Sequence, residues 1–338
     1  MARTTNFFRR INMKLLQYIS LLALPLLLGL SSCTHAVFDD LSECPRGVYV
    51  RLYAQTECET TPSYPSEIKD VSYFVFDTRD KLVSYHHESN LTLTPDAEVL
   101  IELPATGSYR VFAWAGIDDD LFEHTDYVIG QTTLQDIYAT LRSEEDQPYD
   151  LRDRTVWMGL SSIVSLEELK TLDDPERPTN QYYHTAINMR EYTNRITVRV
   201  TGLEHPEHFT IKLESDNGRY NYQGDIVPDK TLVYPTKMNY SAPADSTASA
   251  FFTTLKLESG RNSFLTVYNK EKGEVAFMED LIGAILVSPV AEALNMRCLN
   301  DYDVHLKMRR CPECPSGYMA CEIWINDWLV HSYDIAFE

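Results

Sequence analysis

Apolar and polar residues alternate with a period of two along much of this 338-residue chain, which is the pattern of β-strands that bury one face. The first clear example is Val48, Val50 and Leu52, which alternate with bulky or charged residues over 48–53. Further predicted strands span residues 71–77, 81–87, 98–103, 109–115 and 155–160, whereas residues 134–141 fit a short helix with one apolar side. This cadence predicts a β-sandwich over residues 47–175.

A second series of strands follows a charged, proline-bearing stretch at residues 173–178, whose composition is typical of a boundary loop. The strands of this series are predicted at 184–189, 196–200, 209–213, 220–222, 251–257, 264–268, 275–277, 303–308, 321–325 and 329–337. Residues 281–294 are predicted to contain a helix that Pro289 starts, kinks or breaks. The pattern therefore predicts an all-β protein of two sandwiches in series, 47–175 and 176–338, with a few short helices.

The chain begins with the features of a bacterial export signal. Four basic residues in the first fourteen precede an apolar run over residues 15–30, which is short for a membrane-spanning helix. The run ends in the sequence LSSC at residues 30–33, which resembles the lipobox of bacterial lipoproteins. We expect residues 1–32 to be a signal peptide, Cys33 to carry the lipid and residues 33–46 to form a tether. The alternative is an ordinary signal peptide whose cleavage leaves an unmodified cysteine.

The excess of acidic over basic residues limits the kinds of partner that the chain can bind. The chain holds 30 Lys and Arg against 50 Asp and Glu, a formal charge of −20, which opposes binding to phosphate backbones. We therefore expect no nucleic-acid partner. An acidic body is also repelled by anionic lipid surfaces, so membrane attachment must come from acyl chains. Asp39 and Asp40 resemble the acidic export signals of Bacteroidetes lipoproteins, which favours the outer membrane and display toward the cell exterior.

Six further cysteines accompany Cys33, an even number in a compartment that permits disulfides. They are Cys44, Cys58, Cys298, Cys311, Cys314 and Cys321. The first two flank one predicted strand and the other four lie near the C-terminus, so we expect pairing within each group. The alternative for the second group is a structural zinc site, because Cys311 and Cys314 have the spacing of a zinc knuckle, although a second close pair is missing.

The strongest signatures of catalysis are absent from the sequence. It contains no nucleophile elbow, zinc-protease helix, phosphate-binding loop or dinucleotide fingerprint. The acidic runs at 118–120, 144–146 and 173–174 lack calcium-loop spacing and are interpreted as solvated loops, as is the pair His205 and His208. Four tryptophans could form a carbohydrate platform, but each lies in or beside a predicted strand and is expected in the core: Trp114, Trp157, Trp324 and Trp328. We expect neither an enzyme, nor a cofactor, nor a metal.

Two segments carry a resemblance to a known family. Residues 39–50, DDLSECPRGVYV, follow the lipobox closely, and residues 323–330 read IWINDWLV. Together they resemble the FimB-type fimbrial anchor subunit lipoproteins of Bacteroidales, which belong to type V pili. The resemblance implies two tandem transthyretin-like β-sandwich domains, attachment to the outer membrane through the lipid on Cys33, and a role in holding the base of a fimbrium and limiting its length.

The same resemblance implies fimbrial shaft subunits as partners, joined by strand exchange, in which one chain adds a strand to another chain's sheet. The N-terminal strand at 48–53 and the C-terminal strand at 329–337 are the candidates, because strands at chain ends are the easiest to exchange; both could equally be core strands. The alternative function is that of a surface glycan-binding lipoprotein.

Overall fold

The protein is described here from a computed structural model that covers residues 46–124, 126–152, 154–166, 182–241, 246–287 and 296–332. The predicted signal peptide, Cys33, Cys44 and most of the predicted tether lie outside the described residues. So do the predicted boundary loop at 173–178 and Pro289. The described part is dominated by β-strands.

The strands are numbered in chain order. They are β1 (Gly47–Tyr53), β2 (Val71–Asp77), β3 (Leu82–Glu88), β4 (Val99–Glu102), β5 (Gly107–Ala115), β6 (Phe122–His124), β7 (Tyr138–Leu141), β8 (Ser143–Glu144), β9 (Gln147–Pro148), β10 (Trp157–Leu160), β11 (Val164–Leu166), β12 (Tyr182–Asn188), β13 (Arg190–Glu191), β14 (Thr193–Thr201), β15 (Phe209–Ser215), β16 (Arg219–Asn221), β17 (Leu232–Val233), β18 (Asn239–Tyr240), β19 (Ala248–Leu255), β20 (Ser263–Asn269), β21 (Glu274–Asp280), β22 (Asp301–Arg310), β23 (Tyr318–Ile325) and β24 (Trp328–Ser332). One α-helix, α1 (Leu281–Leu286), follows β21, and 3₁₀ turns span Leu134–Asp136 and Pro206–His208.

The first sandwich packs a three-stranded sheet, in the order β12-β1-β4, on a larger sheet, in the order β13-β10-β5-β2-β3 with β11 also paired to β5. Val48, Val50 and Leu52 alternate inward from β1 and share a core with residues of β2, because successive side chains of a strand point to opposite faces. The sheets extend past the predicted limit at residue 175, since β12 and β13 pair with strands of the first half. The residues on either side of that limit therefore build one sandwich.

The second sandwich packs a six-stranded sheet, β18-β19-β14-β22-β23-β24, on a four-stranded sheet, β17-β15-β20-β21. Its central strand β14 alternates Ile196, Val198 and Val200 inward, and all three are fully buried. The prediction of an all-β fold with two sandwiches is thus confirmed.

A second hydrophobic cluster, distinct from the core around β1, joins the two sandwiches. β7 from the first half and β16 from the second half lie side by side in a three-stranded sheet with β6. Phe74 and Phe112, on the face of the larger sheet opposite β1, belong to the same buried cluster as Val198 and Phe252 of the second sandwich. Apolar side chains on both faces of that sheet are therefore buried, and the two sandwiches pack directly against each other.

The predicted helix over residues 134–141 is wrong beyond its first turn. Residues 134–136 form a 3₁₀ turn, and β7 then runs through Leu141. Ile137, Ala139 and Leu141 are buried at a spacing of two, and both neighbours of β7 hydrogen-bond to it. The short apolar run fits the helical period and the strand period equally well. Pairing with β16, about 80 residues away, makes it a strand.

Two disulfides correct part of the predicted pairing. Cys58 is bonded to Cys298, 240 residues away, and Cys311 is bonded to Cys314. Pairing within each group is therefore wrong for Cys58 and correct for Cys311, while Cys321 is a free thiol and Cys44 lies outside the described residues. The zinc alternative is wrong as well, because three of its four candidate sulfurs are in disulfides. The described residues hold no cluster of three or more metal-ligating side chains.

We expect the two disulfides to differ in their effect on stability. Loop closure in the unfolded chain predicts a loss of about 5 kcal/mol of unfolding free energy for Cys58→Ser with Cys298→Ser, and about 1.5 kcal/mol for Cys311→Ser with Cys314→Ser. Chemical denaturation of the mature chain, with each variant measured beside the wild type, checks the order. A larger loss in the second variant would contradict the assignment of the long-range bond.

Candidate functional site

β1, one of the two candidate strands for exchange, is an interior strand. It lies between β12 and β4 and is hydrogen-bonded to both. Its inward residues Val48, Val50 and Leu52 are at most 1% exposed. Removing β1 would expose this core and leave both neighbours unpaired, so β1 offers no open edge.

β24, the described part of the other candidate, is an edge strand. Within the described residues it pairs with β23 on one side only. Trp328 and Leu329 are 44% and 40% exposed, while Val330 packs against the core. An edge strand presents unpaired N–H and C=O groups, and exposed apolar side chains beside them make it a template for another chain's strand.

The turn before β24 is fixed to the neighbouring strand. Asn326 and Asp327 have positive φ angles of 47° and 65°, as the two central residues of a type I′ hairpin turn require. The Asn326 side-chain oxygen accepts from the backbone N–H of Asp303 at 2.7 Å, and its amide donates to the carbonyl of Asp301 at 3.2 Å. The segment IWINDWLV is therefore the β23–β24 hairpin, with its turn attached to β22.

The sheet face beside β24 carries charges that are mutually paired. Lys307 donates to Glu322 at 2.9 Å, and so does the indole N–H of Trp324. These hydrogen bonds, that of Lys307 first, lower the pKa of the Glu322 carboxyl. Arg199 contacts Asp303 at 2.7 Å in the same way. Because these charges are satisfied within the chain, the exposed apolar edge is the more available binding feature.

A second edge strand, β21, borders the other sheet of the second sandwich. It pairs only with β20 among the described strands, and Val275 and Met278 are 49% and 53% exposed. Its C-terminal residue Asp280 also caps α1, because its carboxylate accepts from the backbone N–H groups of Ile282 and Gly283. β21 is thus paired with β20 along its length and connected directly to α1 at its C-terminal end.

A cleft of about 700 Å³ lies where residues from both sandwiches meet, and no sequence motif indicated it. Three lining residues form a polar chain, in which Lys256 donates to Asn300 at 2.7 Å and Asn300 donates to Glu191 at 2.7 Å. Arg195, outside the lining, contacts Glu191 at 2.5 Å. Burial lowers the pKa of the Lys256 ammonium to about 8. Only the tertiary structure brings these four residues together, since they come from β13, β14 and the segments next to β19 and β22.

Comparison with known proteins now decides the family. The family model of the Fimbrillin-A associated anchor proteins Mfa1 and Mfa2 matches residues 41–334. The Minor fimbrium anchoring subunit Mfa2 of Porphyromonas gingivalis is 42% identical over 308 residues, which cover 91% of this chain and 92% of that protein. The chain belongs to this family of fimbrial anchor proteins. The predicted resemblance to fimbrial anchor subunits is confirmed.

Solved structures agree with the fold. The fimbrial anchor protein Mfa2 from Porphyromonas gingivalis has a TM-score of 0.76 at 41% identity, covering 86% of this chain and all of that one. A candidate polysaccharide-binding protein of Bacteroides thetaiotaomicron has a TM-score of 0.68 at 18% identity, covering 86% and 98%, a likeness of fold alone. None of the helices in the described part of the chain is long and apolar enough to cross a membrane.

The remaining sequence candidates do not assemble into a site. Trp114 and Trp157 are buried in the core as predicted, Trp324 is half-buried, and Trp328 is exposed, contrary to its predicted core position. The four tryptophans therefore form no shared platform. His205 and His208 stack at 5.2 Å with acidic neighbours, consistent with a surface turn.

We expect Lys256 to make the unfolding free energy of this anchor protein vary with pH in the alkaline range. The folded pKa lies below the unfolded value near 10.4, so between about pH 8 and 10 the unfolded state binds more protons and stability rises with pH. Relative to Lys256→Met, the wild type should gain about 2 kcal/mol across this window. Denaturant unfolding at several pH values measures the difference. The exposed Lys212→Met variant controls for the loss of one positive charge, and a difference that is flat or falls with pH would contradict the buried ammonium.

Proposed function

We propose that this protein is an outer-membrane lipoprotein that faces the cell exterior, anchors the base of a fimbrium and limits its length. The shaft subunit joins it by strand exchange at the β24 edge. Membership of the anchor family is the observation that carries the proposal. Structural anchoring needs binding surfaces rather than catalytic groups, in agreement with a sequence that lacks the common catalytic motifs.

The lipid on Cys33 supplies the membrane attachment in this proposal. The LSSC sequence supports it, and so does the charge of −20, which leaves little electrostatic attraction to anionic lipid. Several acyl chains together give stable anchoring, whereas a single chain gives only reversible binding. Residue 46, where the described chain begins, leads directly into the buried strand β1, so the tether would hold the core of the first sandwich.

The β24 edge supplies the shaft attachment. Its Trp328 and Leu329 side chains are exposed, and of the strands that the structure describes only β23 pairs with it. In this proposal the chain is tethered at its N-terminal end and takes up a shaft strand at β24 alone, so it accepts one neighbour and growth of the fimbrium stops there. This is the physical basis that we propose for length limitation.

Replacing Cys33 tests the anchor. We expect Cys33→Ala to abolish acyl labelling, release the protein from the membrane fraction and produce long fimbriae that are shed into the medium, as in a deletion strain. Radiolabelled palmitate, fractionation and electron microscopy with shaft protein quantified on cells and in medium provide the measurements. Ser31→Ala, which keeps a small residue in the lipobox, is the matched control. Persistent labelling, or unchanged cell-bound fimbriae in the deletion strain, would overturn the proposal and favour the glycan-binding alternative.

Paired edge variants test the docking strand. Trp328→Lys with Leu329→Lys should weaken binding of purified shaft subunit at least about tenfold, because lysine on an edge opposes strand addition. Val275→Lys with Met278→Lys places the same charges on the β21 edge and should change binding less than about twofold. Binding isotherms give the result, and thermal unfolding checks that both variants are folded. Loss of binding only in the β21 variant would move the docking site to that edge.

A further inference from the structure

The Cys58–Cys298 disulfide closes an unusually long covalent loop. It joins residues 240 positions apart, a few residues after β1 and three residues before β22. Every strand from β2 to β21 lies inside this loop. Most of the first sandwich and much of the second are thus contained in a loop that this one disulfide closes.

This junction changes the path that tension takes along the backbone. A pull that enters at Arg46 and leaves at Ser332 follows the chain from β1 to Cys58, crosses the disulfide and continues from Cys298 through β22, β23 and β24. The backbone inside the loop is bypassed. Eleven residues separate Gly47 from Cys58 and thirty-four separate Cys298 from Ser332, so about 45 residues, or about 160 Å of extended chain, lie on the loaded path.

The strand at the entry of this path resists being drawn out. β1 is paired in parallel with β12 from Gly47 opposite Tyr182 to Tyr53 opposite Asn188, and antiparallel with β4 on its other side. A pull along β1 loads these two ladders lengthwise, so many hydrogen bonds share the force. A β-strand is also close to full extension, at about 3.3 Å per residue, and therefore releases little length when it is stretched.

We propose that the Cys58–Cys298 disulfide is a covalent bypass, which carries tension between the N-terminal tether and the β24 edge past the 240-residue loop and prevents the backbone inside that loop from being drawn out. The direction of the load rests on the proposed function, in which membrane and shaft pull at these two ends. An anchor built in this way stays folded while the fimbrium is pulled, because forced unfolding is governed by the rate at which the loaded part opens.

Single-molecule force spectroscopy on the purified mature chain tests the bypass, with handles attached at its N-terminus and C-terminus. Complete unfolding of Cys58→Ser with Cys298→Ser should release about 860 Å more contour length than the oxidised wild type, the length of 240 extended residues. Cys311→Ser with Cys314→Ser is the matched control, because its bond spans three residues and hides only about 11 Å. Should the first variant fail to fold, wild type pulled in a thiol reductant provides the same comparison.

Equal contour lengths for oxidised wild type and the Cys58/Cys298 variant would overturn the proposal, as would finding these two cysteines unbonded in non-reduced peptide mass spectra. Under flow, cells with the Cys58/Cys298 variant should shed their fimbriae, whereas cells with the wild type or the Cys311/Cys314 variant should retain them. Equal retention in all three strains would also overturn the proposal. These outcomes are separate from a failure of the proposed function. That failure would appear as membrane attachment without Cys33 or as unchanged fimbriae in the deletion strain, whatever the contour lengths.

Discussion

The parallel ladder between β1 and β12 holds the two ends of the first sandwich side by side. Parallel neighbours require a long crossover, and here the crossover contains every other strand of that sandwich except β13. The chain leaves β12 and passes through β13 directly into β14, the central strand of the second sandwich. The position of β1 in the middle of its sheet therefore fixes where the first sandwich closes and where the second begins.

The pairing has a direct consequence for function. Because β1 is central and buries its inward face, it is unsuited to exchange with another chain, and β24, an edge among the described strands, becomes the better candidate for attachment. The first and last described strands thus have opposite surroundings: β1 lies between two strands, and β24 pairs with one described strand.

The shared cluster makes the two sandwiches parts of one body. β7 pairs with β16 across the halves, and the buried cluster runs from Phe74 to Phe252 without interruption. The polar chain from Lys256 to Glu191 adds hydrogen bonds at the same junction. Packing, strand pairing and the Cys58–Cys298 bond therefore all join the two sandwiches.

The sequence by itself determined the all-β class, most of the strands and the family, because period-two burial and the segments at 39–50 and 323–330 are local patterns. Only the tertiary structure decided which strands are enclosed and which are edges: β1 and β24 both alternate, yet among the described strands β1 has two neighbours and β24 has one. For the same reason the predictions of a helix over 134–141 and of a nearby partner for Cys58 were wrong, and no pattern indicated the cleft beside Lys256. Each depends on contacts between residues roughly 40 to 240 positions apart, and hydrophobic spacing carries no information about such partners.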